Sequence, residues 1–349
     1  MTIVVWALGA YVTVGAAYWC LSLLLAIRVV RNVRLLRDLE PPAPARWPRV
    51  AHICPARDEA AAIEAAVRSR LADDYPELEI VLIDDRSTDA TGEIVDRLAA
   101  ADPRVRALHI RELPDGWVGK PYALQRGIEL ATGEWLLLSD ADVHVAPGAL
   151  RKAVAHALAR ELDHVAILPE LWSASFVLDV LLAAFARLLA ITTRMWAVAD
   201  PRSRAAVGVG AFNLVRRSAY ERTEGFEWLR LEIVDDMTLA QMLKRAGARP
   251  AVLNGRGLVG LTWYRSLGEA ARGAEKSTFS ALGRFSFAGL VARSLVLMLV
   301  EIGPWVGAVA ALFLASGGSA AAGFLGLASA LGLLVSIVAQ YLPWRWIGG

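Results

Sequence analysis

Two carboxylates one residue apart, Asp140 and Asp142, follow the apolar run Trp135–Leu138. Like charges held so close repel, and a divalent cation between them removes that cost. With oxygen ligands only, Mg2+ or Mn2+ is the natural ion, and such an ion bridges a diphosphate. Three further acidic or polar clusters stand in comparable places: Pro55-Ala56-Arg57-Asp58-Glu59, Asp84-Asp85-Arg86-Ser87-Thr88-Asp89 and Val234-Asp235-Asp236-Met237. A single Asp after a strand is an ordinary helix N-cap, which suits Asp89. Asp235-Asp236 opens a helical pattern that runs to Ala246, so capping plus helix-dipole charge is one reading. A carboxylate base whose pKa is raised by its neighbour is the other.

No P-loop is present, and no G-x-G-x-x-G follows the first strand. A phosphorylated donor would then be held by the ion and by basic side chains. Lys120 is the candidate, at the end of the Gly-rich segment Leu113-Pro114-Asp115-Gly116-Trp117-Val118-Gly119-Lys120, where it opens a helix whose amides also favour anions. Taken alone, it reads as a surface charge. His144 lies two residues past the paired carboxylates and reads either as a ligand or, more simply, as a solvated or capping histidine. His52, His109, His156 and His164 form no spacing that suggests a site.

Positioning these groups requires strands that end together. Strands are expected at Val50–Cys54, Leu78–Ile83, Val105–Ile110, Leu136–Ser139 and Val165–Leu168, with helices over Ala60–Leu71, Ala90–Ala101, Pro121–Ala131 and Pro147–Ala159. The alternation predicts an α/β fold, a mostly parallel sheet with helices on both faces. Ligands bind such sheets at the carboxyl ends of the strands, where the clusters lie.

Charge is unevenly spread. Residues 1–27 carry none of the 37 basic and 35 acidic side chains, and residues 288–349 carry only Arg293, Glu301 and Arg345. With 56% hydrophobic residues and a mean hydropathy of +0.43, the chain is too apolar for an ordinary soluble domain. Thr2–Ile27 is long enough for the roughly 20 residues a crossing needs. Arg28, Arg31, Arg34 and Arg37 follow it, the reverse of a signal peptide, and place what comes next in the cytoplasm. Two more crossings are expected at Ser294–Ala315 and Ala320–Leu342, joined by a turn at Ser316-Gly317-Gly318-Ser319, with Trp344, Arg345 and Trp346 as an interfacial anchor.

Glu301 lies inside the first of these two helices. It reads as a functional intramembrane carboxylate, or as a group near the interface or paired with Arg293. Phe176–Ala199, interrupted by Asp179, Arg187 and Arg194, suits an interfacial amphipathic helix, with a core helix as the alternative. Cys20 and Cys54 have no metal-type spacing and read as reduced packing residues on the cytosolic side. The net charge of +2 and the lack of a basic run give no nucleic-acid signal. The organisation expected is an anchor at 1–30, a basic and Pro-rich linker at 31–48, a cytosolic domain at 49–287 and two transmembrane helices at 288–349.

Taken in order, these motifs resemble the family 2 glycosyltransferases. They are P-A-R-x-E, D-D-x-S-x-D, the G-K-x-x-A-x-x-x-G segment from Gly119 to Gly127, the D-x-D and the late acidic pair. The resemblance spans about residues 48–285, and the Gly-Trp-Val-Gly-Lys variant with membrane helices looks most like the membrane-bound branch acting on lipids, which includes hopanoid-associated, carotenoid and ceramide-type enzymes. It implies a GT-A-type fold and an inverting transfer from a UDP-sugar to a lipid at the cytoplasmic face. It further implies that Pro55, Arg57 and Glu59 line the nucleotide pocket and that Asp84 and Asp85 contact base and ribose. Asp140 would face the ribose or sugar and Asp142 would hold the metal. Gly208, Gly210, Ala211 and Phe212 would lie on the acceptor side, with Asp236 as general base beside Asp235.

One departure stands out. Q-x-x-R-W, common in processive polysaccharide synthases, is absent, and the corresponding region reads Arg272-Gly273-Ala274-Glu275-Lys276-Ser277-Thr278-Phe279. Arg272 or Lys276 would then contact the diphosphate, or face membrane phosphates instead. The absence argues against the alternative of a polysaccharide synthase. The intact acidic motifs and Lys120 argue against a non-catalytic scaffold that keeps the fold.

Overall fold

The computed structural model describes residues 2–173, 175–273, 286–314 and 320–348. Lys276 and the turn at 316–319 lie outside the described residues. The chain begins with α1 (Thr2–Asn32) and enters an alternating region: β1 (Val50–Ala56), α2 (Ile63–Leu71), β2 (Leu78–Asp85), α3 (Thr91–Ala101), β3 (Val105–Ile110), α4 (Gly119–Leu130) and β4 (Trp135–Leu138). Next come β5 (His144–Val145), α5 (Ala149–Ala159), β6 (His164–Leu168), β7 (Glu170–Leu171) and α6 (Phe176–Thr192). They are followed by β8 (Asn213–Arg216), α7 (Arg217–Tyr220), α8 (Gly225–Trp228), α9 (Asp235–Arg245), β9 (Pro250–Asn254) and β10 (Val259–Leu261). Two long helices close the described chain, α10 (Phe287–Leu314) and α11 (Ala320–Ile347).

The main sheet has seven strands in the order β3-β2-β1-β4-β8-β6-β9. All neighbours pair in parallel except β8, which is antiparallel to both β4 and β6. The expected parallel sheet is therefore present with one reversed strand inserted. A smaller sheet, β5-β10-β7, follows the D-x-D.

Strand residues are apolar on both faces because both faces are covered. Ile80 and Leu82 point into the cluster under α2, α3 and α5, while Val81 and Ile83 point into the one under α4 and α9. Each such side chain contributes roughly 1.5–3 kcal/mol on burial. Gly127 lets α4 lie flat on the sheet: a Cβ there would stand 2.5 Å from Ile53 and 2.6 Å from Ile83. That contact fixes where the amino end of α4, and hence Lys120, meets the strand ends.

Among the described residues, α1, α10 and α11 are the three helices long and apolar enough to cross a membrane. They pack on one another through small residues; a Cβ on Gly15 would come within 2.9 Å of Pro304. α6 joins this bundle through its buried stripe Leu178, Leu182, Ala183, Arg187 and Ala190, and exposes Phe176, Val177, Val180, Leu181 and Phe185. It is therefore not a core helix of the sheet domain.

The partner of Glu301 is Arg187, not the nearby Arg293 of the sequence expectation. Arg187 is 2% exposed. It ion-pairs with Glu301, donates to Tyr18 Oη (2.9 Å) and Gln340 Oε1 (3.2 Å), and lies 4.6 Å from the Trp19 ring centre. One cation on α6 thus ties together all three long helices. The far end of α11 docks on the sheet domain, where Asn254 Nδ2 donates to the Trp346 carbonyl at 2.8 Å.

Candidate active site

The strand ends form two linked loops. After β1, Arg57 and Asp58 are exposed, and Asp58 has a left-handed φ of 56°; after β2, Arg86 has a φ of 55°. Non-glycine residues in this region are strained and persist only where neighbours hold them. Here the two loops hold each other. Asp58 N–H donates to Ser87 Oγ (3.1 Å), and Thr88 donates to Asp58 Oδ1 through its amide (2.7 Å) and hydroxyl (3.1 Å). Glu59 N–H donates to Thr91 Oγ1 (2.8 Å), and Asp89 accepts from Thr91 N–H; the N-cap of α3 is Ala90, so Asp89 braces the helix start from one residue before the expected cap.

Strand alternation sends Asp84 and Asp85 to opposite faces. Asp85 pairs with Arg86 (Nε to Oδ1 2.7 Å) beside the start of α4, and Gly119 leaves room for both. Asp84 turns towards α3, accepting from Ser87 N–H and contacting His109. Pro55 is half-buried at the end of β1.

The second half of the site is a charged cluster around Lys120. Its ammonium lies 2.6 Å from Asp140 Oδ1 and 3.8 Å from Asp235 Oδ1. Burial opposes the charge, but Asp140, Asp235 and Asp236 together outweigh it and raise the Lys120 pKa above its ordinary value. Asp236 Oδ2 accepts from Gly210 N–H (2.8 Å), Oδ1 accepts from Met237 N–H (2.8 Å), and the Gly210 carbonyl accepts from Asp140 N–H (2.9 Å). Burial, then the charge of Asp235, raise the Asp236 carboxyl to about 6. Lys120, Gly210, Asp235 and Asp236 line a small shared cavity.

Gly208 and Gly210 permit this approach. A Cβ on Gly210 would meet Asp140 Oδ2 at 2.6 Å, and one on Gly208 would collide with the Asp236 backbone carbonyl. Gly208→Ala should therefore lower turnover by roughly ten- to hundredfold, the cost of misplacing a reacting group by about 1 Å. Steady-state kinetics beside a thermal melt checks this; the clash is with backbone that must shift, so the midpoint should fall as well, and turnover is compared where both proteins are folded. Ala211 and Phe212 are buried in the core beneath the segment.

Asp142 is half-buried, and burial followed by the Asp140 charge raises its pKa. Glu59 is raised to about 7 by burial and then by Asp142 and Asp140. Among the described residues no group of three or more His, Cys, Asp or Glu could hold a metal ion. The donor set here is the carboxylate pair, whose mutual repulsion in a half-buried position is what a hard divalent cation relieves. Such a pair fits an ion that takes its other oxygens from a diphosphate and water. His144 packs against the Trp172 ring at 5.4 Å, and burial lowers its pKa.

The sequence reading missed three residues. Arg70, 1% exposed, donates to the carbonyls of Asp140 (2.5 Å) and Val143 (3.0 Å) and to Cys54 Sγ (2.9 Å), clamping the D-x-D loop from behind. Nothing in the pattern of α2 distinguished it from Arg68. Arg265 is the cation whose charge acts on Glu59; it follows the stacked pair Trp263–Tyr264, and that aromatic run after a strand was the available signal. Arg272, by contrast, is exposed on the segment after it. The third, His109, bridges two carboxylates.

Residues 52–223 match the family described as Glycosyl transferase family 2. The domain belongs to that family. Its chain is 35% identical over 119 residues to the succinoglycan biosynthesis protein ExoO of Rhizobium meliloti, covering 34% of this chain and 32% of that one. It is 26% identical over 162 residues to the beta-monoglucosyldiacylglycerol synthase of Synechocystis, covering 44% and 32%. The matches thus span about a third of each relative. The mannosyltransferase PcManGT of Pyrobaculum calidifontis, solved with GDP-Man and Mn2+, shares the fold with a TM-score of 0.59 over 96% of both chains at 22% identity. The fold agrees with the GT-A-like sheet expected from sequence.

Proposed function

We propose that this family 2 domain is a membrane-anchored inverting glycosyltransferase that moves one sugar from a nucleotide diphosphate donor, a UDP-sugar, to a lipid at the cytoplasmic face. The observation that carries this reading is the place of the base. Met237, next to Asp236, packs in one apolar cluster with Val29 of α1, Ala190 of α6 and Trp346 of α11. The proposed proton acceptor would therefore stand beside an apolar cluster that includes residues of α1, α6 and α11, the side from which a hydroxyl on a membrane lipid would arrive. The exposed apolar face of α6 suits the interfacial layer, and Arg28, Arg31, Arg34 and Arg37 suit the inner leaflet. The diacylglycerol named in the Synechocystis relative is an acceptor of the same class.

In this reading Pro55, Arg57, Glu59, Asp84 and Asp85 hold the nucleotide, while Lys120 and Arg265 face the diphosphate. Asp142, with Asp140, would hold Mg2+ or Mn2+, which when bound neutralises charge on the departing diphosphate. The acceptor oxygen forms a bond to the anomeric carbon as the bond from that carbon to the UDP oxygen breaks. Its proton passes to Asp236, and the configuration inverts. Gly210 N–H fixes the Asp236 carboxylate for this transfer. Release of UDP from UDP-glucose, UDP-galactose and UDP-N-acetylglucosamine by membranes carrying the protein tests the reading. At least one donor should give UDP, and EDTA should lower the rate by about two orders of magnitude, with recovery on adding Mn2+ or Mg2+. Full activity in EDTA would remove the metal from the account.

A further inference from the structure

His109 stands at the end of β3 between two carboxylates from two other elements. Its Nδ1 lies 3.0 Å from Asp84 Oδ2 at the end of β2, and its Nε2 lies 2.8 Å from Asp96 Oδ1 on α3. Asp84 is 2% exposed, whereas the Asp96 side chain is 65% exposed. A neutral imidazole carries one N–H and so satisfies only one of these oxygens; the imidazolium donates to both. The site is made to fit. Gly92 lies inside α3, where glycine costs roughly 0.5–1 kcal/mol relative to alanine, and a Cβ there would stand 2.9 Å from Asp84 Oδ2 and 3.8 Å from the His109 ring.

Asp84 is also the root of the strained loop. Its other oxygen accepts from Ser87 N–H (3.2 Å), and Ser87 in turn accepts from Asp58 N–H across the nucleotide end of the sheet. We infer that His109 is a positioning residue for the donor: its protonated ring holds the Asp84 carboxylate, and donor affinity weakens when that proton leaves. The inference rests on the proposed role of Asp84 in the nucleotide pocket.

The charged groups facing His109 are Asp84 from β2 and Asp96 from α3, and both act in one direction. Their hydrogen bonds raise the His109 pKa above its ordinary value against a smaller effect of burial. Burial alone would raise Asp84, but bonds from His109 and Ser87 reverse this and lower it. Above the raised His109 pKa, the Nδ1–H tautomer still reaches Asp84. The bond then loses its charge assistance, a change of about fivefold in affinity, and Asp96 turns to solvent.

Binding of UDP-glucose with Mn2+ to the full chain in detergent, measured from pH 6 to 8.5, tests this. The donor has no ionisation of its own to confuse the profile in this range. Wild type should weaken about fivefold with rising pH. His109→Asn, whose amide replaces the Nδ1–H donor without a charge, should lose this fivefold fall and keep only the dependence from Glu59, raised to about 7, which wild type shares. His109→Ala should bind weakly throughout, and Asp96→Asn should move the transition to lower pH. A His109→Asn protein that keeps the wild-type profile, or a His109→Ala protein that binds like wild type, overturns the inference. Asp84→Asn separates the two levels: normal binding by that variant overturns the nucleotide-pocket role of Asp84. Weak binding by Asp84→Asn with unaltered His109 variants overturns only the role of His109.

Discussion

Asp236→Asn lowers kcat/KM by about 10²–10⁴, the range for loss of a general base, and leaves donor binding intact. The asparagine keeps an oxygen for the Gly210 N–H at 2.8 Å but cannot take the acceptor's proton. Because burial and Asp235 raise the Asp236 carboxyl to about 6, the base form is populated above that pH and lost below it. At saturating donor, wild-type kcat/KM for the acceptor should accordingly rise tenfold per pH unit below about 6 and level off above, a limb that Asp236→Asn removes. Removing a buried charge beside Asp235 should also leave the thermal midpoint unchanged or higher, as at other sites where function costs stability. A variant that lost activity by unfolding would show a lower midpoint.

Arg187→Met should cost about 3–5 kcal/mol of stability, because it leaves Glu301 without its ion-pair partner inside the helix bundle. The measurement is a thermal melt in detergent. The double variant Arg187→Met with Glu301→Met should recover most of the loss, since replacing both partners of a buried pair by apolar groups is often neutral. A double variant as unstable as the single one would show that packing, and not the unpaired charge, sets the cost. Arg187 also holds α6, whose Ala190 shares the apolar cluster of Met237, so the single variant should lose activity with an acceptor lipid before it loses binding of a soluble nucleotide.

Much of the fold and site is legible in the sequence. Local periodicity marked β1 through β4 and the intervening helices, because each strand is apolar on both faces and each turn carries polar residues. The D-x-D, Lys120 and Asp235-Asp236 were legible as chemistry because like charges are otherwise kept apart. β8 was not. Its four residues, Asn213–Arg216, follow a turn at Val209–Phe212 but are too few to show a period, and only pairing with β4 and β6 defines it. Arg187 and Glu301 are 114 residues apart, so nothing local announces their pairing. Arg70 and His109 were missed for the same reason: each acts through partners from distant elements, and no spacing along the chain encodes them. His52, His109, His156 and His164 share no spacing that suggests a site, and His109 shows that a single residue between elements needs no spacing partner.

The most direct test of the central claim is mass spectrometry of lipid extracts after membranes carrying the chain are incubated with nucleotide sugars and a divalent cation. The account predicts a lipid whose mass increases by one sugar residue, formed by wild type and absent with Asp236→Asn. A product that stays in the aqueous phase, a product that grows into a polymer, or the same lipid formed by both proteins would contradict it.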